Sequence, residues 1–414
     1  VTAEPIAGGP PSTGGVPPLR RNRDFLLLWT GAGFSQLGAK ISVIAFPLLL
    51  VWHGDSALGA GLVAFAGLLP ALLLQLPAGV LVDRWDRRRL MVGCDALASV
   101  AMLSVAVAVL FGVVWLPHLL VVNFVEGACL IFYLLAQRAA VRNVVEPEHL
   151  PTAVARNEAR GRVASLLGQP AGSSLFALLS WLPFAAVALG HLVALVSLLF
   201  VRRPLQTERV DRPLALRRDI GEGLRWLWEQ KFLRAATVMV AATNFFAQVV
   251  NLVPLVVIKQ TGGSAALAGL VGLVGGVGGV CGALFGGVLL RRLSLGGVLL
   301  LDLVTRAALV PVMAFATALP LLFAPFALMS FTGAVLNVGA GAYMARVVPD
   351  EMQGRAMSAV MLTSWGANSA GALVAGVLLS TLTTASTLLC VTAGLVVLLV
   401  GAVLSPTIRK SDAR

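Results

Sequence analysis

Charge is what this chain has least of. Only 12% of its 414 residues are Asp, Glu, Lys or Arg, about half the share of a soluble globular domain, so a water-facing fold is excluded. Histidine is also scarce. His53, His118, His149 and His191 stand far apart in sequence. None has a metal-ligand or triad-like spacing, so metal and enzymatic chemistry are poor readings. Cys94, Cys129, Cys281 and Cys390 lie in apolar runs, with no CxxC among them, and read as small core residues. No GxxxxGKS or GxxxxGKT loop occurs, which removes ATP as the fuel. No cofactor and no metal is expected.

What fills the chain instead is apolar. Hydrophobic residues make up 58% of it, and the mean hydropathy is +0.90. About 20 apolar residues cross the hydrocarbon core of a bilayer. Runs of that size read as spans at 25–51, 58–82, 90–114, 117–138, 159–180 and 183–201, then at 232–258, 265–290, 295–316, 320–344, 355–380 and 384–405. The expectation is an all-α membrane protein of twelve transmembrane helices in two pseudo-symmetric six-helix bundles. Its parts are a disordered tail at 1–19, a first bundle at 20–201, a linker at 202–231, a second bundle at 232–408 and a tail at 409–414. Arg20-Arg21-Asn22-Arg23 ahead of an apolar run mimics a signal peptide, but the run is too long and reads as the first span.

The net charge of +12 would suit nucleic acid, but its placement argues otherwise. Apart from Lys40, Lys259 and Arg306, every Lys and Arg falls on one side of these spans. That is the positive-inside bias. It accounts for the basicity without a polyanionic partner and puts both termini in the cytoplasm. The linker stretch Asp219–Trp228 sets Ile220, Leu224, Leu227 and Trp228 on one helical face. It is expected to lie on the inner leaflet, anchored by Trp226 and Trp228.

The halves repeat weakly. Gly287-Val-Leu-Leu-Arg291-Arg292 echoes Gly79-Val-Leu-Val-Asp83-Arg84, and Asp302 in span 9 echoes Asp95 in span 3. Val348-Pro349 before span 11 echoes Val145-Glu146-Pro147 before span 5. Such symmetry is expected of a transporter built from repeats.

The stretch Gly79–Met91, GVLVDRWDRRRLM, packs a Gly, two Asp and four Arg into a link between two spans. It resembles the loop between helices 2 and 3 of major facilitator superfamily transporters, roughly G-x-L-x-D-R-x-G-R-R. Gly79, Leu81, Asp83, Arg84, Arg87 and Arg88 match, and Asp86 stands where that pattern has Gly. Within the superfamily the chain is similar to the bacterial branch of macrolide-efflux and enterobactin-exporter proteins. The likeness rests on Arg21–Trp29 with Ser35–Gly38, on the Asp83–Arg88 turn, on Glu148–Ala153 with Leu167–Gly172, and on Gly221–Trp226. It departs at Ala39, where the branch often has Asp, and near Leu135, where it often has Pro.

The resemblance implies secondary active efflux of lipophilic or amphipathic small molecules by alternating access, exchanged for protons, with a monomer sufficient. It places Asp83 against the N-terminus of helix 11 as a gate, with Arg84, Arg87 and Arg88 pairing to acids such as Asp95 and Glu146. The same turn also reads as a topology signal alone. Lys40 and Glu126 fall near the midplane of spans 1 and 4, where ionisable residues are costly and usually functional. In the superfamily those helices line the cavity. The two are expected to pair, as a proton-coupling device with Glu126 the carrier, or as a static tie between helices. Asp302 and Arg306 are spaced to satisfy each other. Gly168, Pro170 and Gly172 of span 5, and Gly275 and Gly279 of span 8, are expected at the interface between the halves. Candidates for the substrate cavity are Gln36, Asn123, Tyr133, Asn244, Phe245, Gln248, Asn251, Asn337, Tyr343 and Trp365. Two other functions stay open. One is a dedicated exporter of one metabolite, such as a siderophore or a self-made antibiotic, in which Lys40 would bind an anionic group. The other is a membrane sensor that binds without transporting.

Overall fold

Long helices follow directly from the apolar runs. The structure, a computed structural model, describes residues 18–54, 56–206, 216–315 and 320–409. The tail before residue 18, residues 207–215 of the linker and the side chains of 216–220, Ile220 among them, lie outside the described residues. In chain order the helices are α1 (Arg23–Trp52), α2 (Ala57–Arg84), α3 (Arg87–Leu110), α4 (Leu116–Val144), α5 (Leu150–Leu178), α6 (Leu182–Leu199) and α7 (Leu216–Glu229). There follow α8 (Lys231–Gln260), α9 (Ala266–Leu289), α10 (Leu295–Ala314), α11 (Pro320–Val347), α12 (Asp350–Thr381), α13 (Thr384–Leu404) and the short α14 (Pro406–Arg409). No strand occurs among the described residues.

Among the described residues, 11 of these helices are long and apolar enough to cross a membrane. Helix α5 is as long as its neighbours. It misses that standard because its first half carries Arg156, Glu158, Arg160 and Arg162. The sequence reading began this span at residue 159; the helix itself starts at Leu150.

Helix ends follow local chemistry. Asp86 accepts from Arg89 N at 2.8 Å and so caps α3, which is what an Asp in place of Gly does at this turn. Ser56 caps α2 and Ser294 caps α10 in the same way. Asn22 caps α1 and donates from Nδ2 to Val144 O at 2.8 Å, tying the start of α1 to the end of α4. Gly112 and Gly262 follow α3 and α8 with φ of 76° and 71°, a region that disfavours a side chain.

Helices α1 to α6 pack on one another, and α8 to α13 do likewise. The two sets meet where α2 lies on α12, α5 on α9 and α1 on α8. Helix α7 packs on protein along one side: Leu227 is buried against Leu233, Met344 and Ala356, and Glu222 of the same helix pairs with Arg355 of α12 at 2.8 Å. Its Leu224 and Leu227 side, with Trp226, covers α12 and α8, while Trp228 stays exposed.

The glycines of α9 divide between two neighbours. A Cβ at Gly269, Gly272 or Gly276 would run into Ser173, Gln169 or Leu166 of α5. Gly275 and Gly279 instead face Ser330 of α11. On α5, Pro170 does stand at the crossing, against Gly269, but Gly168 and Gly172 press on Lys40 and Ile44 of α1. Successive helix positions turn about 100°, so spacing alone could not tell which glycines would face which helix.

Candidate functional site

Two cavities lie between the helix sets. The larger, about 770 Å³, is lined by α1, α4, α5 and α9 and opens toward the arginine-rich end, where α4 finishes and α5 begins. The smaller, about 310 Å³, lies deeper and shares Ala39 and Leu130 with the first. Beyond it the two sets close on each other. One continuous apolar cluster runs through Ile44–Val51 of α1, Val249–Ile258 of α8 and Ala265–Val271 at the start of α9. Lys259 Nζ donates to Val51 O at 2.5 Å across this closed end.

Glu126 faces the smaller cavity and is the one ionisable side chain among its lining residues. It is 4% exposed and its Oε1 accepts from Ser42 Oγ at 2.7 Å. Asn123, Gln248 and Asn251, three of the cavity candidates, line the same space, and Gln169 joins them unforeseen. Asn123 donates to Val63 O and Gln248 to Asn368 Oδ1, each at 2.8 Å. Gln36 lines the larger cavity. Tyr133, Asn244, Phe245, Asn337, Tyr343 and Trp365 line neither of the two. Tyr133 is sealed inside α4's packing, Phe245 stacks edge-on with Phe246, and Tyr343 does so with Phe232.

The expected Lys40–Glu126 pair does not form. Lys40 opens on the larger cavity and makes no hydrogen bond or ion pair among the described residues. The residue of α1 that reaches Glu126 is Ser42. Two positions along a helix lie about 200° apart around its axis, so Lys40 and Ser42 address different spaces.

The arginine turn pairs differently from expectation. Asp83 is 63% exposed and its Oδ1 lies 3.6 Å from Arg87 Nη2. Among the described residues it makes no bond to α12. Arg88 donates to the carbonyls of Leu198, Leu199 and Val201, a cation on the C-terminal end of α6. Arg84 belongs to the same turn. Glu146 pairs with Arg203 at 3.1 Å. Asp95 meets no arginine. It lies about two helix turns along α3 from Arg88 and contacts His191 of α6, Oδ1 to Nδ1, at 2.9 Å.

That Asp95–His191 pair escaped the sequence reading. The two are 1% and 2% exposed. Ser35 Oγ of α1 lies 3.4 Å from the same Nδ1. Asp95 Oδ2, His191 Nε2 and the Tyr133 hydroxyl are buried without a partner among the described residues. Ser, His and Asp are the residue types of a hydrolytic triad. Here serine and carboxylate crowd one ring nitrogen, whereas a triad needs them on opposite ones. The arrangement ties α1, α3 and α6 together and is not a nucleophile. Among the described residues no cluster of three or more His, Cys, Asp or Glu could hold a metal. In the second helix set Asp302 pairs with Arg306 Nε at 2.8 Å and accepts from Thr332 at 2.7 Å, as its spacing implied.

Comparison with known proteins agrees with this architecture. The nucleoside transporter NupG superposes with a TM-score of 0.74 at 12% identity, over 94% of this chain and 99% of that one. A bacterial homologue of the lysosomal transporter Spinster, in an inward-facing and unoccupied conformation, gives 0.72 at 13% identity, over 95% and 98%. Likeness at such identities is one of fold alone. In sequence, the multidrug efflux pump Tap of Mycolicibacterium fortuitum is 28% identical over 94% of this chain and 97% of its own. The macrolide efflux protein A of Streptococcus pyogenes is 25% identical over 56% and 58%. The helices make the chain a multi-pass membrane protein, and its kin are transporters rather than enzymes. Residues 13–413 match the family model described as transmembrane secretion effector, and the chain belongs to that family of the major facilitator superfamily.

Proposed function

We propose that the chain is a secondary active efflux transporter that exchanges protons for lipophilic or amphipathic small molecules by alternating access. The carrying observation is Glu126, a lone carboxyl facing a cavity between two helix sets that is closed at one end and open at the other. A carboxyl placed there has no cation to neutralise it, so a proton is its natural partner. The printed names of Tap and macrolide efflux protein A support a drug-like cargo.

In this reading α5 is the twelfth span, and α1–α6 and α8–α13 are two pseudo-symmetric bundles that rock against each other. The arginine-rich face is cytoplasmic, by the positive-inside bias, and the membrane is a bacterial plasma membrane. The open cavity then faces inward. When the inner ends close, Asp83 leaves Arg87 and docks on the N-terminus of α12, where the helix dipole favours an anion. The close contacts of Gly61 on Gly376, and of Pro170 on Gly269, serve as the bearing surfaces.

The test is proton flux in proteoliposomes with an imposed pH gradient and a lumenal pH dye. Macrolides and lipophilic compounds of both charge signs are added to wild type and to Glu126→Gln. Compound-triggered collapse of the gradient in wild type, lost in the variant, is expected. Collapse retained in the variant overturns Glu126 as the proton site. Binding without any flux recasts the protein as a sensor.

A further inference from the structure

The larger cavity is strongly one-signed. Its lining holds Lys40, Arg138, Arg142, Arg160 and Arg162 against a single acid, Glu158. All of these cations come from α1, α4 and α5, while the facing wall on α9 is Gly276, Gly279 and Val280. Arg160 is tied down, its Nη1 donating to Trp29 O at 3.0 Å. Lys40, Arg138, Arg142 and Arg162 make no hydrogen bond or ion pair among the described residues and are exposed to the cavity.

The preference of arginine for one face of the membrane accounts for Arg138 and Arg142, which sit in the last two turns of α4. It does not account for Lys40. That residue lies about 25 Å along α1 from its first residue, at 1.5 Å per residue. A lysine at that depth is expensive unless something compensates it, and among the described residues it has no ion-pair or hydrogen-bond partner. Gly168 of α5 gives it room, since any side chain there would overlap the Lys40 stem. Around the cations the lining mixes the amides of Gln36, Gln137 and Asn157 with an apolar surface that includes Leu130, Leu134 and Leu166. A small inorganic anion would leave that surface unused.

We propose that this cavity is an anion-selecting vestibule, and that the cargo is an amphipath carrying a negative charge, such as a carboxylate, sulfonate or phenolate, which Lys40 receives at the deepest point. The word cargo rests on the efflux reading above; the charge selectivity does not. A cleft lined by one sign of charge concentrates counter-ions and repels ions of like charge, so lipophilic cations are disfavoured at the mouth. The energetics also change. Exchange of a monovalent cation for a proton is electroneutral. Exchange of an anion for a proton moves two charges in the sense that an inside-negative potential favours.

The experiment has two arms. In the first, Leu134→Cys is made on a background with Cys94, Cys129, Cys281 and Cys390 replaced by alanine. Its reaction rates with anionic sulfonatoethyl and cationic trimethylammonioethyl methanethiosulfonate are compared with those of free cysteine. An anion preference about tenfold above free cysteine is expected, falling several-fold in Lys40→Met and restored in Lys40→Arg. A ratio equal to that of free cysteine overturns the proposal. The second arm follows the xanthene dyes fluorescein, an anion, and rhodamine 123, a cation, in proteoliposomes at clamped potential. Fluorescein transport that quickens at inside-negative potential and collapses in Lys40→Met supports it. Rhodamine 123 carried as well as fluorescein overturns it and leaves efflux standing. Neither dye carried, with the anionic reagent still favoured, sinks the efflux reading and keeps the anion vestibule.

Discussion

The two helix sets differ in how they hold buried charge. In α1–α6 the buried ionisable residues are Asp95, Glu126, Arg160 and His191, contributed by four helices. In α8–α13 the buried ionisable residue among those described is Asp302, which its own helix neutralises through Arg306. The pair sits at the echo of Asp95, yet Asp302 finds its partner four residues on, and Asp95 finds one 96 residues away. A charge neutralised within one helix needs no ionic partner from another, although Asp302 also accepts a hydrogen bond from Thr332 of α11. A charge neutralised across helices, or left facing a cavity, can respond to ligand and proton. In the proposed cycle, therefore, the first set supplies the ionisable groups, while the second contributes the amides Gln248 and Asn251 and the glycine wall of α9.

The largest expected effect sets the two acids against each other. Glu126→Gln should abolish substrate-linked proton flux. Asp302→Asn should lower thermal stability in detergent yet leave flux in the surviving protein within about threefold, well under one tenfold step of 1.4 kcal/mol. Flux lost equally in both would break the contrast between the halves.

Next comes the bearing surface. A Cβ at Gly61 would stand 2.5 Å from Gly376 Cα, and such overpacking costs about 1–3 kcal/mol. Because the contact belongs to the state seen here, Gly61→Val should shift the population toward the opposite state. A slower modification of Leu134→Cys would report it, and an unchanged rate would mean that the α2–α12 contact persists through the cycle.

The internal tie of the first set is expected to matter for stability. His191→Phe leaves Asp95 buried without its partner, a loss of about 1–3 kcal/mol, read as a fall in melting temperature. The double variant Asp95→Leu/His191→Phe should recover part of that loss, since removing both polar partners is milder than removing one. No recovery would argue that the pair does more than hold α3 to α6.

The smallest effect should be shared. Asp86 and Ser294 cap α3 and α10 at equivalent places in the two halves. Alanine at either should cost about 1 kcal/mol. A much larger loss at Asp86 would give that turn a role beyond capping.

The apolar runs and the turn at Gly79–Met91 were legible because each is a local property. Asp302–Arg306 was legible for the same reason, being a spacing within one helix. Helix α5 was only half legible. Its charged first turns read as a loop, although they form the wall of a cavity and are sheltered there from lipid. Gly275 was assigned to the wrong neighbour, and Lys40 was assigned to Glu126, because both judgements depend on the rotation of a helix about its axis. His191 was invisible as a site. Nothing near it in sequence is ionisable, and its partner lies three helices away.

By itself, then, the sequence determined the solvent, the helices and the charged face, since hydropathy and charge are sums over neighbouring residues. Tertiary structure decided which side chains meet. It turned Ser42 rather than Lys40 toward Glu126, joined Asp95 to His191, and gathered cations from three helices around one cavity. Those choices are made by the packing of helix against helix, where one residue of register moves a side chain about 100° around the axis.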